Sequence, residues 1–309
     1  MASSFGCSCV LAQSDLQQPT APKSVDGDAT IRAPHGNSEI VITTTNRLAG
    51  AIHSVTWDGM EFIDSADHGR QLQSAASFDC AKPGPFWAEA FNPTEAGSRL
   101  DGAGNRSTSQ LLSIEAHGNA LKTRTQLAFW LAPHENSFGR PALNATKLSN
   151  HLLEKHVRIG FQNLPNVIQY DVQFSVPENE THHFAQFEAL TGYMPYHFNQ
   201  FWILKPDAIS LERLSDGPGE QAFPVVFSNE TKTHAMGVFS PDQPSTGFES
   251  AGYGRFRFLQ EQVVKWNCTF RVRKSENIKT GDYRFAVFVA IGSLQQVQDA
   301  LLQLRAATR

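Results

Sequence analysis

The chain has 309 residues, 40% of them hydrophobic and 18% charged, with 22 Phe, which is ample material for a large core beneath a lightly charged surface. Its formal charge is −4, and no Lys/Arg run is of the kind that tracks a phosphate backbone, so nucleic acid is not an expected partner. No stretch reaches the ~20 consecutive apolar residues of a membrane helix, so no membrane span is expected. Nothing in the pattern bears on oligomeric state.

Residues 1–36 are rich in Ser, Gln, Pro, Gly and Asp without an apolar period, and read as a flexible leader or signal remnant. Within it, Met1 to Gln13 ends in Val10-Leu11-Ala12, which resembles a cleavage site. Asn-x-Ser/Thr sites at Asn105, Asn144, Asn179, Asn229 and Asn267 suit a glycoprotein. The expected location is therefore secreted or periplasmic.

Order is expected to begin near Glu39, and residues 37–309 read as a single β-sandwich catalytic domain. Strand signals cover Glu39 to Thr45, Leu48 to Trp57, Gly69 to Phe78, Gln110 to Ala116 and Ala120 to Leu131, separated by Gly, Asn, Asp and Pro. Farther on, Ile168, Tyr170, Val172, Phe174 and Val176 alternate with Gln169, Asp171, Gln173 and Ser175, the mark of a strand with one wet face. Phe285, Val287, Val289 and Ile291 repeat that period, but Ala286, Phe288 and Ala290 between them are apolar too, which predicts a strand between two packed layers. One helix is predicted over 293–306: Ser293 and Gln296 form a capping box, and Leu294, Val297, Leu301 and Leu304 share a face that should close an edge or end of the sandwich. The fold class is thus all-β, a large antiparallel sandwich of supersandwich type with one C-terminal helix.

Cys7, Cys9, Cys80 and Cys268 lack the paired spacings of a zinc site. Cys268 alternates with Trp266, Phe270 and Val272, so it reads as a small buried hydrophobe; a Cys80–Cys268 bridge is the alternative. His182 and His183 are adjacent and would point to opposite faces of a strand, and His151 with His156 has helical rather than strand spacing. No metal and no cofactor are expected.

The segment 67–101 departs from the alternation around it. It carries His68, Arg70, Gln71 and Gln73, then Phe86, Trp87, Glu89, Phe91, Asn92, Glu95 and Arg99 in a long Gly/Pro-punctuated loop. Sugars stack their apolar faces on aromatic rings while amides, carboxylates and guanidinium groups take the hydroxyls, and this segment supplies both kinds of group. A second cluster of that character holds Tyr193, Tyr196, His197, Asn199, Gln200 and Trp202. The packed-loop alternative has Trp87 plugging the core while Glu89 and Glu95 pair with Arg70 and Arg99.

The expected partner is a glycan or oligosaccharide substrate, and the expected activity is cleavage of its glycosidic bonds. Hydrolysis needs two carboxyl groups, for which Glu89 and Glu95 are the candidates and Glu188 the substitute. Elimination from a uronate needs a His or Tyr base beside groups that neutralise the carboxylate, roles open to His68, Arg70, Gln71, Asn92, Tyr196 and His197. Catalysis is assigned to Glu89, Glu95, His68 and His197, and substrate binding to Arg70, Gln71, Trp87, Asn92, Tyr196 and Trp202, all around one accessible groove. A sugar epimerase or a non-catalytic carbohydrate-binding domain are the rivals.

Residues Asn46 to Ile63, NRLAGAIHSVTWDGMEFI, are similar to the opening hairpin of galactose-mutarotase-like proteins. The resemblance implies a β-supersandwich that binds, epimerises or cleaves carbohydrates in a groove on one concave sheet. By order along the chain it also implies His197 as acid and Glu249 as base. The dense segment 67–101 departs from that family's pattern.

Overall fold

A computed structural model describes residues 25–65, 71–101, 104–241, 252–274 and 276–308. In chain order its strands are β1 (Thr30–His35), β2 (Ser38–Thr45), β3 (Ala51–Trp57), β4 (Met60–Glu61), β5 (Leu72–Phe78), β6 (Pro93–Thr94), β7 (Gln110–His117), β8 (Ala120–Phe129), β9 (Asn136–Ser137), β10 (Arg140–Pro141) and β11 (Leu148–Phe161). They continue with β12 (Leu164–Val176), β13 (Phe184–Pro195), β14 (Gln200–Ile203), β15 (Glu212–Arg213), β16 (Gly219–Gln221), β17 (Val225–Ser228), β18 (Ala235–Phe239), β19 (Gly252–Phe258), β20 (Val263–Arg273) and β21 (Gly281–Gly292). Helix α1 (Leu294–Ala307) follows, and among the described residues it is the only α-helix.

All pairings are antiparallel. One leaflet runs β1–β2–β3–β5–β13–β20–β19–β16. The other runs β7–β8–β11–β12–β21–β18–β17–β14–β15. The short β6 joins them, pairing Thr94 with Ala75 of β5 on one side and with Ala128 of β8 on the other. Between the leaflets lies one core, in which Tyr170, Val172 and Phe174 of β12 and Phe285, Val287 and Val289 of β21 face Phe187 of β13 and Trp266, Cys268 and Phe270 of β20. This is the all-β sandwich that the strand periods predict.

The double-sided apolar pattern of β21 has its cause in α1. Phe288 and Ala290, on the outer face of β21, pack with Val226 of β17, Ala235 of β18 and the helix residues Val297, Ala300, Leu301 and Leu304. The helix therefore lies flat on the outside of the second leaflet rather than closing an edge or end. Its start is the predicted capping box, with Ser293 Oγ accepting from Gln296 N and Gln296 Oε1 accepting from Ser293 N. Each of the buried aliphatic side chains on this face contributes about 1.5–3 kcal/mol. Gly237 of β18 makes the close approach possible, since a Cβ there would lie 2.7 Å from Val297 Cγ1.

The 46–63 segment folds as a three-residue 3₁₀ turn, Asn46–Leu48, followed by the β3–β4 hairpin. Trp57 pairs with Met60 across Asp58 and Gly59, both at positive φ (50° and 74°), as a two-residue turn of type I′ requires.

Order begins earlier than the composition suggested. Ile31 is buried in the core, and β1 pairs along its whole length with β2, so part of the expected leader is a sheet edge. Its alternation of Thr30, Arg32 and Pro34 with Ile31 and Ala33 is short, which hid it in polar surroundings. Cys80 and Cys268 are both free thiols, with Cys268 buried, as its alternation predicts.

Candidate functional site

Strand β20 alternates strictly. Val264, Trp266, Cys268, Phe270 and Val272 enter the core, so Lys265, Asn267, Thr269, Arg271 and Arg273 stand on the outer face. Residues paired across an antiparallel ladder share a face, which sets Tyr193, Thr191, Glu188, Gln186 and Phe184 of β13 opposite them in that order. Gln73 of β5 stands beside Thr191, and Gly254 and Gly252 of β19 stand beside Asn267 and Thr269. The two glycines leave room on this face: a Cβ on Gly254 would strike Asn267 Oδ1, and one on Gly252 would strike Glu220 Oε1.

The polar side chains of this face form two groups. Thr191 Oγ1 donates to Glu188 Oε2 at 2.6 Å, and Lys265 Nζ lies 3.3 Å from the same oxygen. The Lys265 ammonium is 5.3 Å from the centre of the Tyr193 ring and 5.5 Å from that of Phe256, within cation–π range. Next along β20, Arg271 donates from Nε to Gln186 Oε1 at 3.1 Å and from Nη2 to Glu220 Oε1 at 2.9 Å. Glu188, Lys265, Arg271 and Glu220 keep 20, 15, 21 and 37% of their side-chain surface open. At the far end Phe86 packs edge-on against Phe184, and the Arg273 guanidinium covers that ring at 4.6 Å.

Burial by itself would raise the Glu188 carboxyl, but the Lys265 charge and hydrogen bonds from Thr191, Lys265 and Asn267 hold it below the usual carboxylate range. Burial would likewise lower the Lys265 ammonium, and the Glu188 charge together with Tyr193 pushes it up instead. The pair is a carboxylate beside an ammonium. Such a carboxylate can accept a hydrogen bond from a hydroxyl; it has no proton to give.

Among the described residues, those picked out in the sequence do not gather round one groove. His68, Arg70 and Glu249 lie outside the described residues. Glu95 is in the interior, paired with Lys155 of β11 at 2.6 Å, with none of its surface exposed. Ser74 N also donates to it at 2.9 Å. Its place just after β6 turns it between the leaflets, where its ion pair is with Lys155, while Arg99 pairs with Glu135 at 3.3 Å. Glu89 lies on a 3₁₀ turn, Ala88–Phe91, where Ser137 Oγ donates to it. Trp87 is half-buried with its ring edge-on to Phe138 at 5.8 Å. Asn92 donates to Ala76 O and Ser77 Oγ at 2.5 and 3.0 Å and so pins the loop to β5. Gln71 is buried, and its carbonyl accepts from Tyr193 N.

The second cluster divides. Tyr193 belongs to the outer face of β13, whereas the Tyr196 ring sits under the Arg257 guanidinium at 5.7 Å. The His197 ring packs on Phe198, with its pKa lowered by burial and by the nearby His234. Trp202 donates from Nε1 to Ser228 Oγ at 3.0 Å, with Arg213 and Lys232 at 5.1 and 5.2 Å from its ring. Lys265, Asn267 and Arg271 were missed by the sequence reading. Their signal was present as the polar half of the alternation whose apolar half singled out Cys268.

A further correction concerns histidine. His182 precedes β13 and is not on a strand, and β11 carries His151 to it, so the two rings meet at Glu180. His151 Nε2 lies 2.6 Å and His182 Nε2 3.0 Å from the same oxygen, Glu180 Oε2. Burial lowers the His151 pKa; for Glu180 burial is outweighed by the two imidazole hydrogen bonds, which bring the carboxyl down to about 2.

No family model matches the chain. No curated protein matches it either. Similar solved structures include a putative aldose 1-epimerase from Klebsiella pneumoniae, at 9% identity and a TM-score of 0.45 over 91% of this chain and 92% of that one. They also include the alpha-galactosidase from Lactobacillus brevis, at 8% identity and a TM-score of 0.45 over 88% of this chain and 40% of that one. A third is the heparan sulfate lyase HepC from Pedobacter heparinus, at 12% identity and a TM-score of 0.42, where the match covers 90% of this chain and 38% of that one. The chain thus spans less than half the length of the last two.

Proposed function

We propose that this chain binds a carbohydrate on the outer face of β5, β13, β20 and β19 and acts on it with Glu188 as the proton-accepting group. The observation that carries the proposal is the accessible Glu188–Lys265 pair, set among Thr191, Asn267, Gln186 and Arg271 with the Tyr193 and Phe256 rings beside it. Planar amide, carboxylate and guanidinium groups next to aromatic faces are the inventory that sugar hydroxyls and ring faces require. The resemblance of residues 46–63 to the galactose-mutarotase-like hairpin implies the same ligand class.

Hydrolysis calls in addition for a protonated carboxyl near the leaving oxygen. Glu95 is committed to Lys155 in the interior, so the pairing of Glu89 with Glu95 loses its second member. Base-initiated chemistry, elimination or epimerisation, is the reading we favour. A Glu188 carboxylate would take a proton from the sugar while Lys265 and Arg271 stabilise the negative charge that develops.

The test is a panel of neutral and uronate-containing sugars, with binding followed by calorimetry and turnover by reducing ends, anomeric exchange and ultraviolet absorbance of unsaturated products. At least one glycan should bind, and Glu188→Gln should keep the fold while lowering turnover about 100-fold or more, the scale of a positioned base. Absence of binding across the panel, or wild-type turnover in Glu188→Gln, overturns the proposal.

A further inference from the structure

We infer that His151, Glu180 and His182 form a binding site for a divalent transition metal of the zinc class. One ligand atom from each residue lies within 4.8 Å of the other two. Both Nε2 atoms already converge on one carboxylate oxygen, at 2.6 and 3.0 Å. A tetrahedral ion bound at about 2.0–2.1 Å sets its ligand atoms about 3.3 Å apart, so loading needs the two imidazole–carboxylate contacts, now 2.6 and 3.0 Å, to open by less than an ångström, with all three ligand atoms already within 4.8 Å of one another.

The rings are held in place for the purpose. His151 and His182 are 2% and 1% exposed. The Phe78 ring lies against both, at 4.8 and 4.5 Å, and Phe91 closes on them from 6.1 and 5.5 Å. Two buried imidazoles with fixed planes have lost their side-chain entropy before any ion arrives. Glu180 is the open member, with 20% of its side chain exposed, and gives the ion its entry and a position for water as fourth ligand. Two imidazoles and one carboxylate suit zinc and its first-row neighbours rather than calcium or magnesium, which take oxygen ligands.

Loading has one local requirement. In the present arrangement His182 Nδ1 accepts from Cys80 N at 3.2 Å, so the His182 proton is on Nε2. An ion on Nε2 moves that proton to Nδ1, and the Cys80 N–H must turn away. Cys80 and Ala81 are a surface turn, both at positive φ (51° and 50°), and that turn is the segment that yields. A bound ion would tie β11, the connection into β13 and, through Phe78, the end of β5.

The experiment strips the purified full chain with a chelator, adds Zn(II) or Co(II), removes free ion by gel filtration, and measures retained metal together with the unfolding temperature. We expect about one equivalent retained, a rise in unfolding temperature with metal, and a Co(II) absorption spectrum of tetrahedral type. Glu180→Gln and His151→Gln should each weaken binding at least tenfold, and Glu180→Gln, at a partly exposed position, should fold even if the buried His151→Gln does not. Cys80→Ser should bind as the parent chain does, which separates this site from adventitious thiol binding. Retention below about a tenth of an equivalent overturns the inference, as does undiminished binding in Glu180→Gln or loss of binding in Cys80→Ser.

Discussion

Lys155 Nζ sits 2.6 Å from Glu95 Oε1 and 2.7 Å from Glu95 Oε2, with 1% and 0% of the two side chains exposed. Removing one member of such a pair leaves an uncompensated charge in the interior, which destabilises by about 3–5 kcal/mol. Lys155→Met and Glu95→Gln should each cost that much in chemical denaturation. The double variant Lys155→Met/Glu95→Leu should recover most of it, because well-packed apolar groups often replace a buried pair without loss. A Glu95→Gln chain of parental stability but without activity would instead place Glu95 at a working site.

The helix on the outer face of β21 makes a second prediction. Leu301 and Val297 fill the groove over Gly237, so Leu301→Ala should destabilise by about 2–5 kcal/mol through lost contact and a residual cavity. Ser293→Ala removes the cap and should cost about 1 kcal/mol. If α1 were only a loosely held end, Leu301→Ala would leave the denaturation midpoint unchanged, and equilibrium unfolding in urea decides this.

Much of this architecture is legible in the chain because periods report burial directly. The period-2 runs at 168–176 and 285–291 give the two central strands of one leaflet, and the apolar residues on both sides of β21 announce a covering layer, which α1 supplies. What a period cannot report is which strands are neighbours. Glu188 and Lys265 face each other only through the β13–β20 register, and nothing local to either says so. The same holds for His151 and His182, which meet across a strand end, and for Glu95, whose turn into the interior depends on β6 bridging two leaflets. The loop 79–101 draws attention by its composition, yet Asn92 and Glu95 serve to fasten it, and its contact with the candidate face comes through Phe86 on Phe184.

Acid should report on Glu188. Its folded pKa lies below the ordinary carboxylate value, so near and below that value the unfolded chain binds more protons than the folded one, and stability rises with pH there. The contribution is complete above about pH 5 and is lost as pH falls through the folded pKa. Denaturation midpoints measured between about pH 3 and 6 should therefore fall less steeply on acidification in Glu188→Gln than in the parent chain. Parallel curves would mean that Glu188 is not held ionised by Lys265 and its other partners.

Two glutamates, one on each side of this problem, give the sharpest comparison. Glu89 accepts from Ser137 on the 3₁₀ turn of the loop, whereas Glu188 lies beside Lys265 in the middle of the outer face. If Glu188 is the base, Glu188→Gln lowers kcat about 100-fold or more with KM little changed, because the amide still offers an oxygen to a sugar hydroxyl but cannot hold the proton. Glu89→Gln should leave kcat near the parental value and show its effect, if any, in stability, through the altered bond to Ser137. Both variants are measured on one glycan identified from the panel, with kcat, KM and unfolding temperature taken on the same samples. The reverse pattern, with kcat lost in Glu89→Gln and kept in Glu188→Gln, would move the working site from the β13–β20 face to the loop that carries Trp87, where Phe138 of the β9–β10 turn packs on it.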